Sequence, residues 1–267
     1  MTETQQTVGS LLREWRQRRR FSQLSLAVEA EISQRHLSFL ESGRSAPSRE
    51  MVLRLVEHLD VPLRERNRML VAAGYAPVHG ERGLEAPEFA VARSVIEALL
   101  HGHNPHPALA IDRHWTLLLA NKAVGVLTEG VAEHLLQGEV NALRLSLHPE
   151  GLAPRILNFR QWRSHILARL ARDADNSADP RLAALLDELK SYPVPARAAS
   201  SGGGTVTDNP VAIPLRIDSR EGPLEFLSAT TVFGTAVDIT LSEVVIETFF
   251  PANEETAAAM RRLTVES

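Results

Sequence analysis

Cysteine is absent from this 267-residue chain, which excludes disulfides, thiol catalysis and Cys-ligated zinc. No run approaches the roughly eighteen apolar residues of a membrane span, and the start, "MTETQQTVGS", lacks the basic and apolar regions of a signal peptide. A cytoplasmic chain without a membrane partner is expected. Catalytic signatures are missing too. "SSGGGTV" lacks the Gly-Lys-Ser/Thr ending of a phosphate loop, and neither GxGxxG nor GxSxG occurs. Serines, histidines and acids are scattered without a triad, so no enzyme and no cofactor is expected. His101, His103 and His106 in "HGHNPH" have a spacing that suits a metal, with Asp112 the nearest acid. No HExxH pairing supports them, a structural loop is the better reading, and no metal is expected.

What is present is a chain with enough apolar residues (44%) for ordinary cores and a length that suits one large domain or two modest ones. The formal net charge of −4 is unevenly spread. Residues 1–74 carry 12 Arg and 9 Asp+Glu, a net of +3, and the remainder carries 17 Lys+Arg against 24 Asp+Glu, a net of −7. Such asymmetry indicates different partners for the two parts. The cations of the first part are all arginine, with four between Arg16 and Arg20.

Helical periodicity organises the first part. Val8, Leu11, Leu12 and Trp15 share a face. Ser22 is placed to cap a second, short helix burying Leu26, Ala27 and Ala30, and Ser33 to cap a third. Ile32 and Leu37 are spaced for a hydrophobic staple, Leu37 and Leu40 point inward, and Gly43 supplies the left-handed stop. Ser48 starts a fourth helix through Val52, Leu55, Val56 and Leu59, and a fifth follows Pro62 and ends near Gly74. Two short helices joined by a tight turn and flanked by three others predict a helix-turn-helix. Gln34, Arg35 and Ser38 then lie at the start of a recognition helix, where Gln suits adenine and Arg suits guanine. Gln23 and Ser22, at the start of the second helix, are positioned for phosphate.

The stretch "FSQLSLAVEAEISQRHLSFLESGRSAPS" resembles the xenobiotic-response-element-type, phage-repressor-like helix-turn-helix. The resemblance implies that Gln23 binds phosphate and that Gln34, Arg35 and Phe39 face bases, with Ser33, Ser38 and Arg44 completing the DNA-facing set. It also implies a partly buried ion pair between Arg16 and Glu41. The family's turn glycine is replaced by Glu31, which would sit left-handed at a cost of roughly 1 kcal/mol.

Beyond a Pro- and Gly-rich stretch read as a linker (residues 76–87), the acidic part mixes helical and strand patterns. Helices are expected over Phe89 to Leu100, Ala123 to Gly130, "FRQWRSHILARLARDA" with Trp162, Ile166, Leu167 and Leu170 inward, "DPRLAALLDELKSY" capped by Asp179, and "NEETAAAMRRL". "PALAIDRHWTLLLAN" reads as two short strands, "VAIPLRIDSREGPLEFLSATTVFG" as a hairpin turning at Ser219 to Gly222, and "SSGGGT" as a flexible break. The strings "HGHNPHPALAIDRHWTLLLANKA", "NALRLSLHPEGLAPRILNFRQW" and "TVFGTAVDITLSEVVIETFFPANEET" resemble the ligand-binding domain of MmyB-like transcription regulators, nearly continuously from about residue 60 onward. That resemblance implies a PAS-like fold sensing a small, largely apolar ligand, with fatty acids the favoured class.

The expected architecture is therefore multidomain α+β: an all-α five-helix helix-turn-helix over residues 1–75 and a PAS-like α+β domain with an antiparallel sheet over residues 88–267. Its partners would be a double-stranded DNA operator, an apolar ligand and a second copy, because a homodimer sets two recognition helices about 34 Å apart. Asn141, Arg144 and His148 lie among leucines. If that stretch is a strand beside an elongated apolar pocket, Arg144 first and His148 second would hold a ligand carboxylate, and otherwise they brace neighbours. Trp115 and Trp162 are candidates for core or for ligand platform. The rival reading makes the larger domain an antitoxin- or scaffold-like protein-interaction module.

Overall fold

The computed structural model describes residues 6–196 and 212–265, and its chain contacts define two units. The first comprises residues 1–82 together with 235–242, and the second residues 83–234 together with 243–267. The "SSGGGT" break lies outside the described residues.

Five consecutive helices form the N-terminal part of the first unit: α1 Val8–Arg18, α2 Gln23–Glu29, α3 Gln34–Glu41, α4 Arg49–His58 and α5 Leu63–Ala72. Thr7, Ser22, Ser33 and Ser48 each accept the backbone N–H three residues on, satisfying a donor that the helix itself leaves orphaned. The periodic residues Leu11, Trp15, Leu26, Leu37, Leu40 and Leu55 form one buried core. Glu31 takes φ +54° in the turn between α2 and α3, and Gly43 takes φ +73° after α3. The backbones of α1 and α3 meet at Gly9. A Cβ there would lie 2.8 Å from the carbonyl oxygen of Glu41 and closer still to that of Leu40, so the approach requires glycine.

Residues 76–82 are part of this unit rather than linker. The reason is Asn67 on α5, whose Nδ2 donates to the His79 carbonyl (2.7 Å) while its Oδ1 accepts the N–H groups of Val78 (3.0 Å) and His79 (3.1 Å). One side chain thus substitutes for the backbone partners that an irregular segment lacks.

The second unit runs, after a 3₁₀ turn at Pro87–Phe89, through α6 Ala90–Gly102, β1 Ala108–Ile111, β2 Leu117–Ala120, α7 Val124–Thr128, α8 Ala142–Leu147, α9 Phe159–Ser177 and α10 Pro180–Ser191. It continues through β3 Leu215–Ser219, β4 Gly222–Val232, β5 Val245–Pro251 and α12 Glu254–Val265, while the short α11, Ile239–Ser242, falls in the first unit. The strands form one antiparallel sheet in the order β2-β1-β5-β4-β3. Strand β1, buried throughout, separates two cores. Ala108 and Ala110 join Ile96 and Leu100 of α6 on one face, while Leu109 and Ile111 join Leu145, Phe159 and Trp162 on the other. The molecule is thus a two-unit α+β protein.

Two further sequence readings need correction. The stretch after Asn141 is a helix, α8, because the Asn141 side chain caps it by accepting the N–H groups of Leu143 and Arg144, both at 3.1 Å. Leu167 of α9 is only partly buried, unlike Trp162, Ile166 and Leu170. Strand β5, which carries the centre of the sheet, had no strand assignment from the sequence. No helix among the described residues is long and apolar enough to cross a membrane.

Candidate functional site

In the helical unit the candidate surface is built on α3. Leu37 and Leu40 anchor its inner face, which leaves Ser33, Gln34 and Arg35 exposed at its start and Ser38 and Phe39 half-buried behind them. The guanidinium groups of Arg35 and Arg44 sit 5.3 Å and 5.7 Å from the Phe39 ring centre. Both cations are held beside one aromatic face, so the structure gathers Arg35, Phe39 and Arg44 into one cluster at the surface.

Glu41, at the end of α3, accepts from Arg16 Nε (2.5 Å) and Nη2 (2.9 Å), while Arg16 Nη1 donates to the Phe21 carbonyl (2.8 Å). The side chains of this pair are only 10% and 4% exposed. The hydrogen bond to Glu41 raises the Arg16 pKa against the opposing effect of burial. Gln23 is not a free surface residue, because its Nε2 donates to Glu41 Oε2 (2.9 Å). That amide still has a second hydrogen to give. Helices α1, α2 and α3 therefore meet at one carboxylate.

The sheet unit holds an apolar cavity of about 70 Å³ between the sheet, α8 and α9. Leu109, Trp115, Leu145, Trp162, Ile166 and Phe249 are among its walls. Its polar features are few. The Ser146 Oγ is occupied as acceptor of Trp162 Nε1–H (2.9 Å), and the Glu247 carboxylate is buried against Arg169. The Arg169 guanidinium also stacks 4.4 Å from the Trp115 ring centre. Trp115 itself adopts φ +67°, a strained conformation for a bulky residue. Asp112 Oδ1 holds it there by accepting the N–H groups of His114 and Thr116, both at 2.8 Å, and the Trp115 carbonyl accepts from Ala142 N–H (2.9 Å). An apolar cavity of about 150 Å³ accepts benzene, so a longer guest here requires its lining to move.

Trp115 and Trp162 thus line the cavity, whereas Arg144 and His148 do not. Arg144 and Asn141 border a separate, polar depression of about 280 Å³ with His114, Arg181 and Glu188. There Arg144 makes a two-pronged pair with Glu188 (2.7 and 2.8 Å), whose Oε1 also accepts the Tyr192 hydroxyl (2.6 Å). Arg144 holds the Glu188 carboxyl below its ordinary range, and burial with the bond to Glu188 pushes Tyr192 up to about 12. The reason is helical: Leu143, Leu145, Ser146 and Leu147 fill the buried arc of α8, and Arg144 falls on the remaining face. Sequence reasoning missed Arg169, Glu247 and Phe249. The only trace of them was the acid standing alone in "VVIETFFP".

His101, His103 and His106 do not converge as ligands. His103 Nε2 bonds the Phe249 carbonyl (3.0 Å) and burial lowers the His106 pKa. Among the described residues one other trio, His134, His148 and Glu150, brings its ligand atoms within 4.8 Å of one another. The His148 Nδ1 in that trio already accepts Glu150 N–H (3.1 Å).

A family model described as MmyB-like transcription regulator ligand binding domain matches residues 92–263, and one described as helix-turn-helix matches residues 12–66. No curated protein matches the chain.

Proposed function

The chain belongs to the MmyB-like transcription regulators, DNA-binding proteins with a ligand-binding domain, and on that premise we propose that it is a homodimer reading an operator with α3 in response to a small, largely apolar, fatty-acid-like ligand. The observation that carries the first half is α3 itself, capped at Ser33, with Gln34 and Arg35 exposed ahead of its buried leucines. Gln34 and Arg35 read base edges, with Ser38 and Phe39 beside them. Arg44 and Ser33 meet the backbone, and the second amide hydrogen of Gln23 goes to a phosphate oxygen. Two copies are needed to present two α3 helices one turn of DNA apart. A net negative chain meets a polyanion through this local face alone.

For the sensing half, the observation is the apolar cavity walled by Trp115 and Trp162. The sheet order, with four α-helices among the described residues between β2 and β3, supports a PAS-like sensor. An acyl chain gains about 0.8 kcal/mol per buried CH₂, and its polar end would lie toward Ser146 and the Arg169–Glu247 pair. Arg144 and His148, outside the cavity, are not assigned to this ligand.

Operator affinity tests the reading. On a duplex selected by the protein itself, Gln34→Ala and Arg35→Ala are each expected to cost about 1–3 kcal/mol and to relax base preference at their own positions. Gln23→Ala is expected to weaken binding evenly across sequences. Unchanged affinity and preference in both α3 variants would remove α3 from the interface.

A further inference from the structure

The helical unit is completed by a segment that the chain supplies from between two strands of the sheet. Strand β4 ends at Val232 and β5 begins at Val245, yet residues 235–242 belong with the helices. Ile239, only 1% exposed, starts α11, which packs on α5. Its N–H donates to the Gly80 carbonyl (2.8 Å), and the His79 ring bonds the Val237 carbonyl (3.1 Å). Asp238 is buried, its Oδ1 accepting Thr240 N–H (2.9 Å) and its Oδ2 lying 3.6 Å from Arg82 Nη1. A Cβ on Gly80 would stand 2.9 Å from that same Oδ2. The seat is therefore tight.

We propose that residues 235–242 are the element through which the cavity and the DNA-reading helices influence one another. This rests on the sensing reading above. Glu247 and Phe249, on β5, are walls of the cavity, and β5 begins three residues after α11 ends. A filled cavity that moves β5 must pull on a segment whose other attachments are Gly80, His79 and Arg82. Of these, His79 is clamped to α5 by Asn67, which also holds the neighbouring Val78. Helix α5 packs on α1, and α1 carries Arg16, which holds α3 through Glu41. Each step is a packed contact, a hydrogen bond or, from Ser242 to Val245, the chain itself, a contiguous route of the kind that carries coupling. Because coupling is reciprocal, loosening the clamp must be felt at β5.

Amide hydrogen exchange in the full-length protein tests this without any ligand. Phe249→Ala, in the cavity wall, is compared with Leu189→Ala, a fully buried residue of α10 that does not line the cavity. Exchange at Ile239 and His79 is expected to be about fivefold or more faster in Phe249→Ala than in Leu189→Ala. In the reverse direction, Asn67→Ala and the milder Gly80→Ala are expected to speed exchange across residues 245–249. Equal rates at Ile239 and His79 in the two cavity-unit variants, or unchanged β5 amides in both clamp variants, would overturn the proposal. The apolar-ligand reading fails separately, if dodecanoate produces no thermal shift in the wild-type protein.

Discussion

Glu41→Ala is expected to destabilise the helical unit by about 3 kcal/mol, because it leaves the Arg16 guanidinium buried and unpaired. The carboxylate serves three helices at once, binding Arg16 of α1 and Gln23 of α2 from the end of α3. Its loss removes both hydrogen bonds to Arg16 and strands a charge whose side chain is 10% exposed. In calorimetry of the full chain, the helical unit's transition is expected to fall by roughly 15 °C. Glu57→Ala, on the exposed face of α4, is the matched control and is expected to fall within about 0.5 kcal/mol of wild type. Equal shifts for the two variants would show that the pair contributes nothing to the fold.

The sheet unit is expected to respond as strongly to Trp162→Ala, at a cost of about 3–5 kcal/mol. The ring is 5% exposed, forms a wall of the cavity and donates its Nε1–H to Ser146. Its removal deletes apolar contacts, leaves the Ser146 hydroxyl without this partner and enlarges an existing cavity, which the surrounding helices can only partly collapse. A guest of the deleted shape should then bind. Indole at millimolar concentration is expected to raise the variant's transition and to leave the wild type unmoved. A variant that melts with the wild type would contradict the packing described.

The two halves of the molecule were unequally legible in the sequence. Ser22, Ser33 and Ser48 announce their helices because capping and periodicity are local, acting within one or two turns. The hairpin at Ser219 to Gly222 is local in the same sense, and Ser219 pairs with Gly222 as expected. Strand β5 is different. Both its faces are covered, Ile246 by the α6 core and Phe249 by the larger one, so "VVIETFFP" shows no alternation to read. Helix α8 is six residues long and depends on one asparagine cap, too short a stretch for a period to declare itself. The Arg169–Glu247 pair joins α9 to β5, and the seat of residues 235–242 joins Gly80 to Asp238. Apart from the lone acid in "VVIETFFP", neither pairing leaves a mark in the neighbouring sequence. The Arg16–Glu41 pair was foreseen only through a family resemblance, and spacing alone does not give it.

On the proposed reading, one chain joins operator reading to occupancy of the apolar cavity. The most direct test is the affinity of the full-length protein for its selected duplex, measured at fixed salt with and without dodecanoate. A change of about fivefold or more is expected, abolished when Trp162→Phe and Phe249→Leu reshape the cavity walls. Identical affinity with and without the acid, in a protein that dodecanoate demonstrably stabilises against heat, would contradict that reading.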